Sequence, residues 1–285
     1  MSKFTAACVQ MTSGTDPIEN LQVSSDLIRQ SISEGADFIA TPEVTNLMEP
    51  NKAAARDIAQ YEEDDITLKA FRALAMDHKK WVMAGSLVIK KPDDDRLANR
   101  SFLIAPDGSI AGKYDKIHMF DVALENGESH KESNAYAPGE KAVTVQTDWA
   151  TIGMTICYDV RFSHLFQDLA QKGGATIFTT PAAFTHTTGK AHWHVLQRAR
   201  AIENGAFVIA PAQCGHHSKK RHTYGHSLII DPWGEVLADG GDDIGVILAE
   251  IDVAETQKRR QQVPNLKNSR PYSLSLGNDQ QTAAE

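Results

Sequence analysis

Phe4-Thr5-Ala6-Ala7-Cys8-Val9-Gln10, then Asp16-Pro17-Ile18-Glu19, then Phe38-Ile39-Ala40-Thr41-Pro42-Glu43 is the run of chain from which the architecture can be read. The first segment reads as a strand. Asp16 supplies a helix N-cap, Pro17 stands at the first helical position, and Glu19 follows the cap by three residues. Ile18, Leu21, Ile28 and Ile32 recur at helical spacing and predict one buried face, and Gly35 stands where a left-handed stop is expected. Phe38-Ile39-Ala40 is a short buried strand that delivers Pro42 and Glu43 at its carboxyl end. Strand, helix and strand make a βαβ unit.

The same alternation continues outward. A helix is predicted from Asp65 to Lys79, with Ile66, Phe71, Leu74 and Ala75 in register, and then a strand from Trp81 to Ile89. Ser101 to Ala105 and Ile110 to Tyr114, joined at Pro106-Asp107-Gly108, read as a hairpin that ends at Asp115-Lys116. A long polar connection runs to Lys141. Strands Val143 to Val145 and Thr151 to Ile156 follow, the second delivering Cys157, and helix Ser163 to Lys172 stops at Gly173-Gly174. Strand Ala175 to Thr179, helix Ala191 to Glu203, strand Ala206 to Ala210, a hairpin turning at Asp231-Pro232-Trp233-Gly234, strand Val246 to Ile251 and a short helix complete the pattern.

Two echoes point to an internal duplication. Ser101-Phe-Leu-Ile-Ala-Pro-Asp-Gly-Ser-Ile is matched by Ser227-Leu-Ile-Ile-Asp-Pro-Trp-Gly-Glu-Val, and Thr41-Pro42 by Thr180-Pro181, across similar lengths of chain. An α/β fold of two related halves, sheets packed together and helices outside, accounts for both. No linker rich in Pro, Gly or Ser divides the chain. One domain over residues 1–272 is expected, with a polar tail over 273–285.

The 285 residues are 41% hydrophobic, enough for a large core, and carry a formal charge of −8. That charge argues against nucleic acid or an anionic membrane as partner, because phosphate binding draws on clustered Lys and Arg. No apolar stretch approaches the roughly 20 residues that span a bilayer. Cys8, Cys157 and Cys214 are an odd set without close pairing, the usage of a reducing compartment, so a cytoplasmic protein is expected. One basic run, Lys219-Lys220-Arg221 flanked by His216, His217 and His222, reads either as a solvated loop or as a grip for an anionic substrate.

Glu43, Lys116 and Cys157 each follow directly on a predicted strand, and ligand crevices in α/β sheets lie outside the carboxyl ends of strands. A nucleophilic thiol needs an adjacent base or positive neighbour, which Glu43 and Lys116 can supply. An acyl-transfer intermediate also places negative charge on oxygen, where an ammonium in a dry pocket stabilises it. Position alone leaves bland alternatives open: a buried structural thiol, a salt-bridged carboxylate and a surface lysine. Histidines such as His192, His194, His216, His217, His222 and His226 fit no established zinc spacing, so no metal and no cofactor are expected.

The string Gly153-Met-Thr-Ile-Cys157-Tyr158-Asp159-Val160-Arg161-Phe162 resembles the nucleophile segment of the nitrilase superfamily of carbon–nitrogen hydrolases, as do Thr41-Pro42-Glu43 and Lys113-Tyr114-Asp115-Lys116-Ile117-His118. The resemblance runs from the first strand to about Tyr272. It implies a four-layer αββα sandwich of two mixed sheets with pseudo-twofold symmetry. It also implies a triad of Glu43, Lys116 and Cys157, with Glu132, ahead of Pro138-Gly139, as the second glutamate of the pocket. Within the superfamily, His118-Met-Phe-Asp121, Asn126-Gly-Glu-Ser129, Thr188-Gly-Lys-Ala-His-Trp193, Arg198-Ala-Arg-Ala-Ile-Glu203 and Ala212-Gln-Cys-Gly215 resemble an amidase branch.

That branch implies a small-molecule amide substrate, a 2-oxo-acid amide such as deaminated glutathione, hydrolysed through a cysteine thioester, and a homodimer or larger assembly. An omega-amidase, a nitrile or N-carbamoyl hydrolase, or a silent binding protein on the same fold are the other readings. Tyr158 is expected to offer its backbone N–H to the oxyanion. Arg161 is expected either to grip a substrate carboxylate or to form a structural ion pair with Asp159 or a neighbouring helix. Phe184 and His186, just past a strand, are expected pocket walls.

Overall fold

Asp16 caps the first helix as its position predicts, its carboxylate accepting from the Ile18 N–H at 2.8 Å and the Glu19 N–H at 3.4 Å. The computed structural model describes residues 3–123, 127, 129–219 and 221–275. The first half comprises β1 (Lys3–Gln10), α1 (Pro17–Ser33), β2 (Phe38–Ala40), α2 (Lys52–Ile58), β3 (Gln60–Tyr61), α3 (Ile66–His78), β4 (Trp81–Lys90), β5 (Leu97–Ile104) and β6 (Ile110–Asp115). A small hairpin, β7 (Asp121–Ala123) and β8 (Ser129–Lys131), leads through the 3-10 turn Glu132–Asn134 to the second half.

That half comprises β9 (Val143–Gln146), β10 (Thr151–Met154), the 3-10 turn Cys157–Arg161, α4 (Ser163–Gln171), β11 (Ile177–Thr179), α5 (His186–Asn204), β12 (Phe207–Ala210), β13 (Cys214–Ser218), β14 (Arg221–Tyr224), β15 (Leu228–Ile230) and β16 (Val236–Asp239). β17 (Gly245–Asp252) then returns to the first sheet before α6 (Ala254–Gln262) and α7 (Asn265–Asn268).

The sheets run β17-β1-β2-β4-β5-β6, with β3 beside β4, and β16-β15-β12-β11-β10-β9. In each, three parallel strands are continued by an antiparallel hairpin on one side and flanked by one antiparallel strand on the other. The hairpins β5–β6 and β15–β16 therefore occupy equivalent places, as do the turns after β2 and β11. These are the two echoes seen in the sequence.

Alternation along the strands sorts the layers. Ala6, Cys8, Phe38 and Met83 of the first sheet share one core with Ile152 and Met154 of the second. Their neighbours Ala7, Val9, Ile39 and Val82 instead pack with Ile28 of α1 and Phe71 and Leu74 of α3. On the far side, Phe166 of α4 meets Phe178 of β11 with ring centres 5.0 Å apart. Helix, sheet, sheet and helix thus form four layers.

Some local expectations change. Ile18 is 70% exposed, because α1 turns Asn20, Ser24 and Ser25 toward the protein instead. Helix α5 begins at His186, five residues before the predicted start at Ala191, since its first turns pack against β14. A Cβ on Gly189 would overlap the Tyr224 side chain. The polar connection after Lys116 contains β7 and β8, and the basic histidine-rich run forms hairpin β13–β14 rather than an open loop. Of the tail assigned to 273–285, residues 276–285 lie outside the described residues, as do Asn126, Glu128 and Lys220.

Candidate active site

Glu43, Lys116 and Cys157 leave β2, β6 and β10 and converge on one buried point. Lys116 Nζ lies 2.8 Å from Glu43 Oε1 and 2.9 Å from both carboxylate oxygens of Glu132. The Cys157 thiol lines the same cavity as Glu43 and feels its charge. The remaining valences of Glu43 are filled as well: Asn99 Nδ2 donates to Oε1 at 2.9 Å, and the Ala183 N–H to Oε2 at 2.7 Å. Glu132 is anchored by the Phe120 N–H at 2.6 Å.

The backbone is bent to bring these groups together. Val44 and Cys157 adopt φ of 50° and 49°, a left-handed conformation that costs non-glycine residues about 1–3 kcal/mol each. Val44 is held there by Ser86, whose hydroxyl accepts the Val44 N–H at 2.8 Å. At Cys157, the N–H donates to the Pro181 carbonyl at 2.9 Å. Gly85 is needed beneath the Glu43 turn, because a Cβ there would overlap the carbonyl oxygens of Thr41 and Pro42.

Asp159 locks the Cys157 turn and the Lys116 segment to one another. Fully buried, it accepts from the Ile156 N–H at 2.9 Å and the Tyr114 hydroxyl at 2.6 Å through Oδ2. Its Oδ1 accepts from the His118 N–H at 3.1 Å and contacts His118 Nδ1 at 2.7 Å. Tyr114 and His118 bracket Lys116 in sequence, so one carboxylate ties the cysteine turn to the lysine segment. Asp159 does not pair with Arg161.

Electrostatics define the resting state. Burial opposes the charge on Glu43, but the Lys116 ammonium, the thiol and the Ala183 N–H outweigh it and hold its carboxyl below 4.5, the ordinary value. Burial also opposes the Lys116 charge, yet Glu132 and Glu43 raise its pKa well above normal. The Cys157 thiol is pushed well up, first by burial and then by Glu43. The site therefore rests as carboxylate, ammonium and neutral thiol.

Cys157, Glu43, Lys116 and Glu132 open on a cavity of about 860 Å³, walled in part by Tyr158 and Phe184. The Tyr158 N–H stands at the start of the 3-10 turn, where the first amides have no acceptor within the helix. Arg161 lies behind this wall, not in it. Its guanidinium sits 5.8 Å from the Tyr158 ring centre, 5.3 Å from that of Phe184, and 3.4 Å from His192 Nδ1. His186 is also outside the cavity, exposed at the head of α5 and stacked on His222 at 4.4 Å.

Asn99, Asp159 and Arg221 are the residues that sequence reasoning passed over or cast otherwise. The only hint for Asn99 is an amide set inside the apolar strand β5. Arg221 of the basic run does reach the cavity. Among the described residues, His194, His226 and Asp239 could together hold a metal ion, but none of them lines this cavity, and each histidine already contacts Asp239, at 2.9 and 2.8 Å.

A four-layer sandwich with a carboxylate, an ammonium and a thiol at its strand ends defines a class, and comparison with known proteins agrees. Residues 5–261 match the family described as carbon-nitrogen hydrolase, and the chain belongs to that family, within the nitrilase superfamily. It is a hydrolase of carbon–nitrogen bonds other than peptide bonds, with an amide substrate. A deaminated glutathione amidase of Synechocystis is 38% identical over 94% of this chain and 98% of its own length. One of Yersinia enterocolitica is 36% identical over 95% and 94%. The crystal structure of the C. elegans NitFhit protein superimposes with a TM-score of 0.89 at 34% identity, covering 95% of this chain and 66% of that one. No helix among the described residues is long and apolar enough to cross a membrane.

Proposed function

We propose that Cys157 is the nucleophile, Glu43 the proton carrier and Lys116 the oxyanion stabiliser in hydrolysis of a small 2-oxo-acid amide of the deaminated glutathione type. The observation that carries this is one buried carboxylate paired with the ammonium on the wall of the cavity that the thiol also lines. Glu43 takes the thiol proton as sulfur attacks the amide carbon. Lys116 and the Tyr158 N–H stabilise the oxyanion. Glu43 then protonates the departing nitrogen, the carbon–nitrogen bond breaks, and a thioester remains on Cys157. Finally Glu43 removes a proton from water, which attacks the thioester and releases the carboxylic acid and the thiol.

Glu132 keeps Lys116 charged and aimed, and Phe184 and Tyr158 wall the acyl group. Arg161 supports that wall through its contacts with both rings. The substrate reading draws on the relatives named deaminated glutathione amidase. Its test is a panel of 2-oxo-acid amides, simple nitriles and N-carbamoyl compounds, with ammonia and amine release both measured. Turnover of the 2-oxo-acid amides and an acyl adduct on Cys157 by mass are expected; nitrile turnover alone would sink the amide reading.

The three cysteines are unpaired, which supports action in the reducing cytoplasm. Val195 and Ile202 on α5 and Trp233 beside it are 68%, 49% and 53% exposed, which supports a homodimer that covers them. Sedimentation should give twice the chain mass; a monomer at micromolar concentration would remove this part of the reading.

A further inference from the structure

The basic hairpin leaves one cation unused by the chemistry above. Arg221 opens β14, is half-buried, and lines the cavity that holds Cys157. One guanidinium nitrogen donates to the Ala183 carbonyl oxygen at 2.6 Å. Among the described residues no carboxylate stands within ion-pair distance of it. A guanidinium carries five N–H donors, so a single bond to a neutral carbonyl leaves both charge and donors unmatched.

Tyr136 lines the same cavity, and no described residue hydrogen-bonds its hydroxyl. Burial, reinforced by the carboxylates of Glu132 and Glu43, raises the phenol pKa, so the group stays protonated and able to donate; Arg221 is among the charges it feels. One charged fork with donors to spare and one phenol without an acceptor, lining one cavity, fit a carboxylate.

Ala183 fixes which end of the substrate this is. Its N–H holds Glu43 Oε2 and its carbonyl holds Arg221, so Arg221 lies on the Glu43 side of the nucleophile, and Tyr136 lines the same cavity close enough to feel the Glu132 and Glu43 carboxylates. The departing nitrogen takes its proton from Glu43, and whatever is attached to that nitrogen extends to the same side. We propose that Arg221 and Tyr136 form a carboxylate subsite for the leaving amine, selecting amides whose departing amine bears an acid group over primary amides that release ammonia. This rests on the Cys157 reading and deepens it.

The test compares one 2-oxo acyl group attached either to a carboxylate-bearing amine or to ammonia. Wild-type enzyme should favour the first. In Arg221→Gln the ratio of the two kcat/KM values should fall about 30-fold, mainly through KM, as expected for loss of one charged hydrogen-bonding partner. Tyr136→Phe should lower it about 5-fold, the size of one neutral hydrogen bond, and Arg221→Lys should restore part of the preference. If both substrates weaken in parallel, Arg221 only braces Ala183 and Glu43, and the subsite is refuted. A wild-type preference for the primary amide refutes it equally, while leaving Cys157 untouched. If neither substrate is turned over and Cys157 resists an electrophilic amide, the reading of the site itself fails and the subsite falls with it.

Discussion

Cys157→Ala should lose at least about a thousandfold in kcat while keeping its fold, because the rest of the site cannot replace a covalent nucleophile. Removing the sulfur enlarges a cavity that already exists instead of opening one in solid core. Alanine also tolerates φ of 49° no worse than cysteine does, so the turn should persist. Steady-state kinetics and a thermal melt on the same preparation check this. Near wild-type turnover by pure variant would remove Cys157 from the mechanism.

Lys116→Met should be damaging in a second way. It deletes the proposed oxyanion stabiliser and strands the buried carboxylate of Glu43 and the partly buried one of Glu132, which shared its charge. Breaking such a set by removing one member costs about 3–5 kcal/mol. The pH dependence gives the sign. In the wild type, Glu43 has a folded pKa below its unfolded 4.5, so it stabilises the fold above that value and the contribution is lost as pH falls through the folded pKa. Without Lys116, burial raises the Glu43 pKa instead, and the penalty is present at neutral pH and vanishes on protonation. The stability gap between wild type and variant should therefore narrow as pH is lowered toward 4.5 in denaturant titrations. Adding Glu132→Gln should recover stability but not turnover. A gap that is constant with pH would mean the three groups do not share charge.

Much of this site is legible in the sequence because strand ends carry it. Glu43, Lys116 and Cys157 stand just past apolar segments whose period is plain, and Asp16-Pro17 and Gly35 mark α1 without any tertiary information. What escapes is whatever depends on partners distant in the chain. Asn99 is one polar residue in a strand until Glu43 and Glu132 face it. Asp159 invites pairing with nearby Arg161, yet its partners are Tyr114 and His118 from the other sheet. β13 and β14 offer no apolar alternation, since His216, His222 and Arg221 are polar on both faces, and only the wall they build reveals their use. Gly189 argues against an early start for α5 by propensity, and the Tyr224 ring lying over it decides otherwise.

The duplicated turns have diverged in their duties. After β2 the turn Thr41-Pro42 leads to a carboxylate; at the matching place after β11, Thr180-Pro181 leads to Ala182 and Ala183, with no acid. This second copy instead anchors the other partners, Pro181 accepting from the Cys157 N–H and Ala183 donating to Glu43. Reactivity here is a property of broken symmetry, and slippage of one layer across the other by a single residue would misalign proton carrier and sulfur together.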